Sequence, residues 1–165
     1  MSIQHRGRTE EDTALDLLHD EHVALLATFE RLRTGAAASR KISKILTSAC
    51  HMLLRHAQIE QELFYPALRG VSGLDDLLDA ARIEHRTMNE LIFELINARP
   101  RNGLRAARIE ALAMYVAHHF REEEEKLFPR ARAAGIDLTA LRRRIIERSA
   151  ELEAEGQPTG CEATV

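Results

Sequence analysis

Hydrophobic residues recur every three to four positions through most of this chain, which is the spacing of one face of an α-helix. Four long stretches have this pattern and predict helices over about 13–33, 41–68, 74–98 and 104–130. A shorter fifth stretch, about 138–153, follows Gly135, and Asp137 is a candidate N-cap for it. The sequence lacks the alternation of apolar and polar residues that is typical of β-strands.

Short breaks rich in Gly and Pro separate the four long stretches, so consecutive helices are expected to be antiparallel neighbours. The predicted fold is all-α: an antiparallel up-down-up-down four-helix bundle with an extra short C-terminal helix. We assign residues 1–12 to a flexible N-terminal segment, 13–133 to the bundle, 134–155 to the accessory helix and 156–165 to a disordered tail. The apolar side of the accessory helix has two alternative contacts, the bundle itself or a second copy in a homodimer.

The composition suits one soluble domain, because 165 residues with 45% hydrophobic side chains can bury a core. A net charge of −3 and an aromatic content of only 4% argue against a nucleic-acid partner. No apolar run approaches the roughly 20 residues that cross a bilayer, so no membrane contact is expected. The polar start lacks the apolar centre of a signal peptide, and two cysteines form no disulfide framework, so we expect a cytoplasmic location.

The second and fourth helices carry a repeated pattern. In one, His56 is followed by Glu60 and Pro66; in the other, His119 is followed by Glu123 and Pro129 at the same two spacings. The bundle therefore resembles two helix pairs related by a pseudo-repeat.

A spacing of four residues places a histidine and a glutamate on one helix face, one turn apart. His22 and His85 lie on the apolar stripes of the first and third helices. We therefore expect six side chains to converge near the middle of the bundle, where such folds build metal sites. They are His22, His56, Glu60, His85, His119 and Glu123.

Two ionised carboxylates on apolar stripes are costly unless positive charge compensates them, and one or two divalent cations would do so. Imidazole and carboxylate together suit first-row transition metals, among them iron, with zinc and manganese as alternatives. Two octahedral ions offer about twelve ligand positions. Four histidines, two bridging carboxylates and an oxo or hydroxo bridge fill about ten of these positions, which leaves room for water or substrate.

The order His, His-x-x-x-Glu, His, His-x-x-x-Glu resembles the hemerythrin-like (HHE cation-binding) family, four-helix bundles with a non-haem di-iron centre. The Leu-Phe-Tyr-Pro66 and Leu-Phe-Pro129 segments are similar to that family as well. The resemblance implies two iron ions held by the same six residues. Asn89 stands where oxygen-carrying members have a fifth histidine, and Glu123 follows His119 more closely than their aspartate does, so the chain is more similar to the four-histidine, two-glutamate branch.

Resemblance to that branch implies a reaction with a small oxidant, with catalase-like turnover of peroxide in oxidative or nitrosative stress as the first choice. Sensing or binding of oxygen, nitric oxide or iron without turnover is one alternative. Iron storage, or delivery of iron for cluster repair, is another. The catalytic residues stay unknown at this stage, because the chemistry would take place at the metals.

Two further side chains are candidates for the site. Tyr115 lies one turn before His119 and about 40° from its direction, so it is either a ligand or hydrogen-bond donor at the metals or an ordinary boundary residue. His19, one turn before His22, is a candidate ligand or proton donor.

Other polar residues near the motifs are expected to have no direct part in the site. His51 and His118 point away from the motif histidines of their helices. Glu124 is assigned to a solvated face, and Asn89 is either a hydrogen-bond partner of the site or a packing residue.

Overall fold

The computed structural model describes residues 12–34, 40–97 and 104–155, and every regular element in these three ranges is helical. The helices include two short π-helices, in which each N–H bonds the carbonyl five residues back. The elements are α1 (Ala14–Thr34), α2 (Arg40–Ile59), π1 (Glu60–Phe64), α3 (Tyr65–Leu68), α4 (Asp75–Asn97), α5 (Arg105–Glu122), π2 (Glu123–Leu127), α6 (Phe128–Ala133) and α7 (Leu138–Glu155).

The four predicted bundle helices correspond to four rods. The first is α1 and the third is α4, whereas α2, π1 and α3 run on as the second rod and α5, π2 and α6 as the fourth. The α1 helix packs against α2 and α5, and α4 packs against α5 and α2. The predicted all-α bundle is confirmed, and the helix ends lie within a few residues of the predicted ones.

Local side-chain chemistry sets several helix ends. The backbone N–H and the hydroxyl of Thr13 both donate to Asp16 Oδ2, at 2.9 and 2.6 Å, where α1 begins. Asp137 Oδ1 accepts from the N–H of Ala140 at 2.8 Å, so this residue is the N-cap of α7, as predicted. Gly70 and Gly135 follow helix ends with φ of +86° and +69°, a conformation that glycine adopts without a steric cost.

The core is divided into two apolar clusters with polar side chains between them. On α1, Leu18 belongs to one cluster and Leu25 to the other, and His22 lies between them. On α4, His85 occupies the same intermediate place between Ala81 and Met88. The bundle therefore encloses a buried polar layer between two hydrophobic ends.

The accessory helix α7 packs against its own bundle. Leu141 and Ile145 are buried in the same cluster as Leu15, and the Nε of Arg148 lies 2.7 Å from Glu62 Oε2 in π1. This packing is the first of the two predicted alternatives. It covers the apolar face that a homodimer through this helix would need.

Two predicted segments lie largely outside the described residues. They are the flexible N-terminal segment, of which only residue 12 is described, and the disordered tail at 156–165. Within the described ranges, the structure contains no helix with the length and hydropathy that crossing a membrane requires.

Candidate metal centre

The polar layer contains all six side chains that the sequence singled out. Each is at most 2% exposed to solvent. Four rods contribute one imidazole each, and the two carboxylates are the first residues of π1 and π2. The six are His22, His56, His85, His119, Glu60 and Glu123.

The four histidines form two pairs with their Nε2 atoms facing inward. The Nε2 atoms of His22 and His56 are 3.1 Å apart, and those of His85 and His119 are 2.8 Å apart. We refer to these pairs as the His22–His56 end and the His85–His119 end of the centre.

Both carboxylates lie between the two ends. Glu60 Oε1 is 3.1 Å from His56 Nε2, and Glu60 Oε2 is 3.3 Å from His85 Nε2. Glu123 Oε2 is 3.4 Å from His22 Nε2 and 3.6 Å from His119 Nε2. Each carboxylate therefore reaches both pairs, as a group that bridges two cations must.

The π-helices explain how the backbone accommodates the proline after each glutamate. The N–H of Tyr65 bonds the carbonyl of Glu60, five residues back, and Phe128 bonds that of Glu123 in the same way. In an ordinary α-helix, the rings of Pro66 and Pro129 would clash with the carbonyl four residues before them. The wider turn relieves this clash directly after each centre glutamate. Single π-turns of this kind are frequent at functional sites.

Each outward-facing Nδ1 atom has a hydrogen-bond partner on a neighbouring rod. A carboxylate can only accept, so it fixes the proton on Nδ1 and leaves the lone pair of Nε2 directed at the centre. Such partners orient metal-ligating histidines in proteins. The partners are Glu21 for His56 at 2.7 Å, Glu84 for His119 at 2.7 Å, Glu124 for His22 at 2.9 Å and Gln61 for His85 at 3.0 Å.

The centre has unbalanced polar atoms when no cation is bound. Both oxygens of Glu60 and Oε2 of Glu123 are buried and have no hydrogen-bond partner among the described residues. Burial alone would lower the pKa of His56, but Glu60 and Glu21 raise this pKa to about 10. Burial opposes ionisation of Glu60, yet the histidines hold its pKa well below the ordinary value. In the metal-free protein the positive charge of His56 therefore balances the negative charge of Glu60.

A divalent cation could supply the same compensating charge, because nitrogen and oxygen donors surround the orphaned carboxylate oxygens. Two donor sets meet this requirement with ligand atoms within 4.8 Å of one another. They are His22, His56, Glu60 and Glu123 at one end, and Glu60, His85 and His119 at the other. The residues therefore fit a pair of cations that share Glu60.

Tyr65 is a site residue that the sequence reasoning missed. Its buried hydroxyl donates to Glu123 Oε1 at 2.7 Å and lies 3.3 Å from His85 Nε2. Burial and the two nearby glutamates raise its pKa well above the ordinary value, so the phenol keeps its proton. In an α-helix, five residues after Glu60 is the wrong face. The wider turn closed by the bond from Tyr65 N–H to Glu60 O rotates the Tyr65 side chain towards the centre. The signal in the sequence was the repeated spacing between glutamate and proline.

Of the two alternatives for Tyr115, the structure favours an ordinary boundary residue over a group at the metals. Its side chain is on the surface, with 44% of the residue exposed. The buried face of α5 is centred on Leu112 and Val116, with His119 at its margin. A further rotation of about 40° beyond His119 therefore takes Tyr115 into solvent.

The remaining candidates are also placed by the structure. His19 is exposed, and its Nδ1 lies 3.0 Å from Glu124 Oε1, so it contacts the partner of His22 and not the centre. The assignment of Glu124 to a solvated face was wrong, because its carboxylate contacts His22 Nδ1. Asn89 is exposed, and so are His51 and His118, the latter two as predicted.

A small cavity reaches the centre between α4 and the fourth rod. Its volume is about 30 Å³, and its lining includes His119, Glu123, Glu84 and the exposed Ala80. This is room for a molecule the size of one or two waters. A larger open groove on α2, about 470 Å³, is lined by none of the centre residues.

A model of the hemerythrin HHE cation-binding domain matches residues 13–131, which covers all four rods. The chain belongs to the hemerythrin HHE cation-binding family. Its fold is similar to the crystal structure of a hemerythrin HHE cation-binding domain-containing protein from Mycobacterium kansasii. That similarity has a TM-score of 0.76 at 20% identity and covers 87% of this chain and 89% of the other. No curated protein matches the chain at a significant level.

Family membership and the buried donor set together describe a metal-binding HHE module. The HHE match contains the complete set of six donors, since it begins before His22 and ends after Glu123. At 20% identity the Mycobacterium kansasii protein supports the fold alone. The chemistry of this HHE domain has to be argued from its own residues.

Proposed function

We propose that this HHE domain is a non-haem di-iron protein that reacts with a small oxidant, with hydrogen peroxide as the substrate of a catalase-like cycle. The observation that carries this proposal is the buried set of four imidazoles and two shared carboxylates. The reaction converts two peroxide molecules into two waters and one dioxygen. Its role would be defence against oxidative or nitrosative stress.

Iron is proposed over zinc because the reaction requires a change of oxidation state, which zinc does not undergo. Manganese does change oxidation state and is the alternative metal. The neutral imidazoles and carboxylates suit iron well, although the affinity order alone does not select it. When bound, two iron ions joined by an oxo or hydroxo bridge would exchange electrons with the oxidant. All six centre side chains are proposed as ligands: His22, His56, His85, His119, Glu60 and Glu123.

The surrounding side chains would hold this centre and control access to it. Tyr65 donates its hydroxyl proton to Glu123, and its oxygen lies 3.3 Å from His85 Nε2. The ring of Phe120 stacks on His22 at 3.9 Å between centroids, and this contact keeps water from that imidazole. Small oxidants would enter through the cavity of about 30 Å³ beside His119.

Oxygen release from peroxide tests the proposal. The full chain is loaded with iron, its metal content is measured, and dioxygen is followed with an electrode after peroxide is added. We expect release well above that of the same concentration of free iron, and loss of both iron and activity in Glu60→Ala. His51→Ala, at an exposed position on the same rod, is the matched control. Iron-replete protein that is no faster than free iron would rule out the enzymatic role.

A second candidate function, sensing or binding of dioxygen, nitric oxide or iron, is favoured by one contact. Glu62 in π1 is two residues from Glu60 and pairs with Arg148 of α7. A shift of Glu60 on ligand binding would therefore move Glu62 and alter its ion pair with α7. This role predicts a spectral response to the gas with slow turnover, together with altered hydrogen exchange in α7 that Arg148→Gln abolishes.

A further inference from the structure

The two ends of the centre are related by the pseudo-repeat. His85, His119 and Glu123 each follow their counterparts His22, His56 and Glu60 by 63 residues. The same offset relates the carboxylates that back two of the histidines, because Glu21 contacts His56 and Glu84 contacts His119 at the same distance of 2.7 Å. A difference between counterparts is therefore a difference between the two ends.

The clearest difference lies behind the other two histidines. Glu124 contacts Nδ1 of His22 at 2.9 Å, whereas its counterpart Gln61 contacts Nδ1 of His85 at 3.0 Å. A carboxylate only accepts, so it holds the His22 proton on Nδ1 and keeps Nε2 free for a metal. An amide both donates and accepts. Gln61 can satisfy either tautomer of His85 by turning its amide over, so His85 is not fixed in the form that binds a metal.

The packing around the two ends also differs, and it too holds His22 more tightly than His85. Phe120 and Phe128 both stack on the ring of His22, with centroids 3.9 and 5.7 Å away. Their counterparts at the same offset are Ala57 and Tyr65. The Tyr65 hydroxyl lies 3.3 Å from His85 Nε2. One end is thus closed by hydrocarbon, and the other has a hydroxyl beside it.

The cavity that reaches the centre also belongs to the second end. It is lined by His119, by Glu84, which is the partner of His119, and by Glu123, which reaches both ends; neither His22 nor His56 lines it. Water-sized molecules therefore have a shorter path to the His85–His119 end. This observation is independent of the identity of residue 61.

We propose that the two cation positions are unequal: the His85–His119 end binds its metal more weakly, fills second and releases first, and Gln61 is the positioning residue that sets this order. The inference rests on the metal centre of the proposed function, but it does not depend on peroxide chemistry. It makes one metal a permanent part of the fold and the other an exchangeable one.

Cobalt titration of the metal-free full-length chain tests this order. Binding of Co²⁺ is followed by calorimetry and by visible absorption, and two stepwise dissociation constants are fitted. Two neighbouring cations repel each other, so stepwise binding alone would occur even in a symmetric centre. The comparison of variants is therefore decisive.

Gln61→Glu is expected to strengthen the second step by about 10- to 100-fold, the usual effect of a partner behind a histidine ligand, and to leave the first step unchanged. Glu124→Gln should weaken the first step by a similar factor. Gln58→Glu is the matched control for added charge, because Gln58 is exposed on the same rod and contacts Glu62 instead of a histidine. It should leave the ratio of the two steps as it is.

Gln61→Leu provides a second variant in case the added carboxylate disturbs folding. It removes every hydrogen bond to His85 Nδ1 and should weaken the second step alone. The proposal is overturned if Gln61→Glu changes the first step or neither step, or if Gln58→Glu has the same effect. Absence of any Co²⁺ binding would contradict the metal centre itself, whereas two steps that ignore residue 61 would contradict only the inequality.

Discussion

At the scale of single residues, the histidines show how a short spacing rule becomes a site. Helical spacing predicts which face each imidazole occupies, and all four lie in the buried layer. The same rule could not find Glu21, Glu84 or Glu124, because their partners are on other rods and the sequence carries no distances between rods. It also missed Tyr65, since it assumed an uninterrupted α-helix after Glu60.

The first prediction compares Tyr65 with Tyr115. Tyr65→Phe removes the hydroxyl that donates to Glu123 and leaves a buried carboxylate oxygen without that donor. We expect the metal-free protein to lose about 1–3 kcal/mol of unfolding free energy. Tyr115→Phe alters an exposed side chain and should change stability by less than about 0.5 kcal/mol. Urea unfolding followed by circular dichroism measures both; equal effects would contradict the placement of Tyr65.

The second prediction concerns pH. Burial lowers the pKa of His56 and of His119, but the neighbouring glutamates raise both to about 10 from an ordinary 6.5. A raised folded-state pKa stabilises the protein fully below 6.5, and this stabilisation is lost as the pH rises towards 10. Unfolding free energies of chelator-treated protein should therefore fall across this range.

Bound metal reverses the dependence, because ligating histidines must be deprotonated. Metal-loaded protein should show no such fall between neutral pH and pH 10. His51→Gln, at an exposed position, is expected to keep the slope of the metal-free protein. A metal-free stability that rises with pH in this range would contradict the charge balance described for the centre.

At the scale of elements, hydrophobic periodicity was sufficient to place all five helical stretches. The ends agree because Gly70, Gly135 and the Asp137 cap act locally. The π-helices were not predicted, since a repeat of three to four residues does not distinguish one wide turn from an α-turn. Pro66 and Pro129 mark those turns only once their common distance from a centre glutamate is noticed.

The third prediction tests the docking of α7. Ile145 is completely buried against the bundle, whereas its neighbour Ile146 is 39% exposed. Ile145→Ala should cost about 2–5 kcal/mol of unfolding free energy through lost burial and a residual cavity. Ile146→Ala should cost less than about 0.5 kcal/mol. Urea midpoints of the two variants give the comparison, and similar losses would mean that α7 is not docked in this register.

At the scale of the whole molecule, the bundle has two apolar clusters with one polar layer between them. The sequence predicted this convergence because the six donors lie at similar positions along the lengths of their helices. It could not predict the cavity, which depends on the packing of α4 against the fourth rod. Nor could it decide whether α7 would cover the bundle or pair with a second copy.

The fourth prediction concerns entry to the centre. Ala80 is exposed where the cavity meets solvent, and Ala80→Leu would obstruct this path without disturbing the core. Stopped-flow absorbance of the iron-loaded protein should show a reaction with hydrogen peroxide several-fold slower than that of the unchanged protein, at the same metal content. Ala24→Leu, at an exposed position on α1, is the matched control. An unchanged rate in Ala80→Leu would require another route.

The pseudo-repeat gives each half of the chain two imidazoles and one carboxylate of the centre, with the glycine turn around Gly70 and Gly73 as the covalent link between the halves. Two cations that share Glu60 would consequently crosslink distant parts of the sequence. Neither half can assemble a complete ligand set by itself. Metal binding and association of the two halves would then be coupled, so removal of a cation would also weaken the contact between the halves.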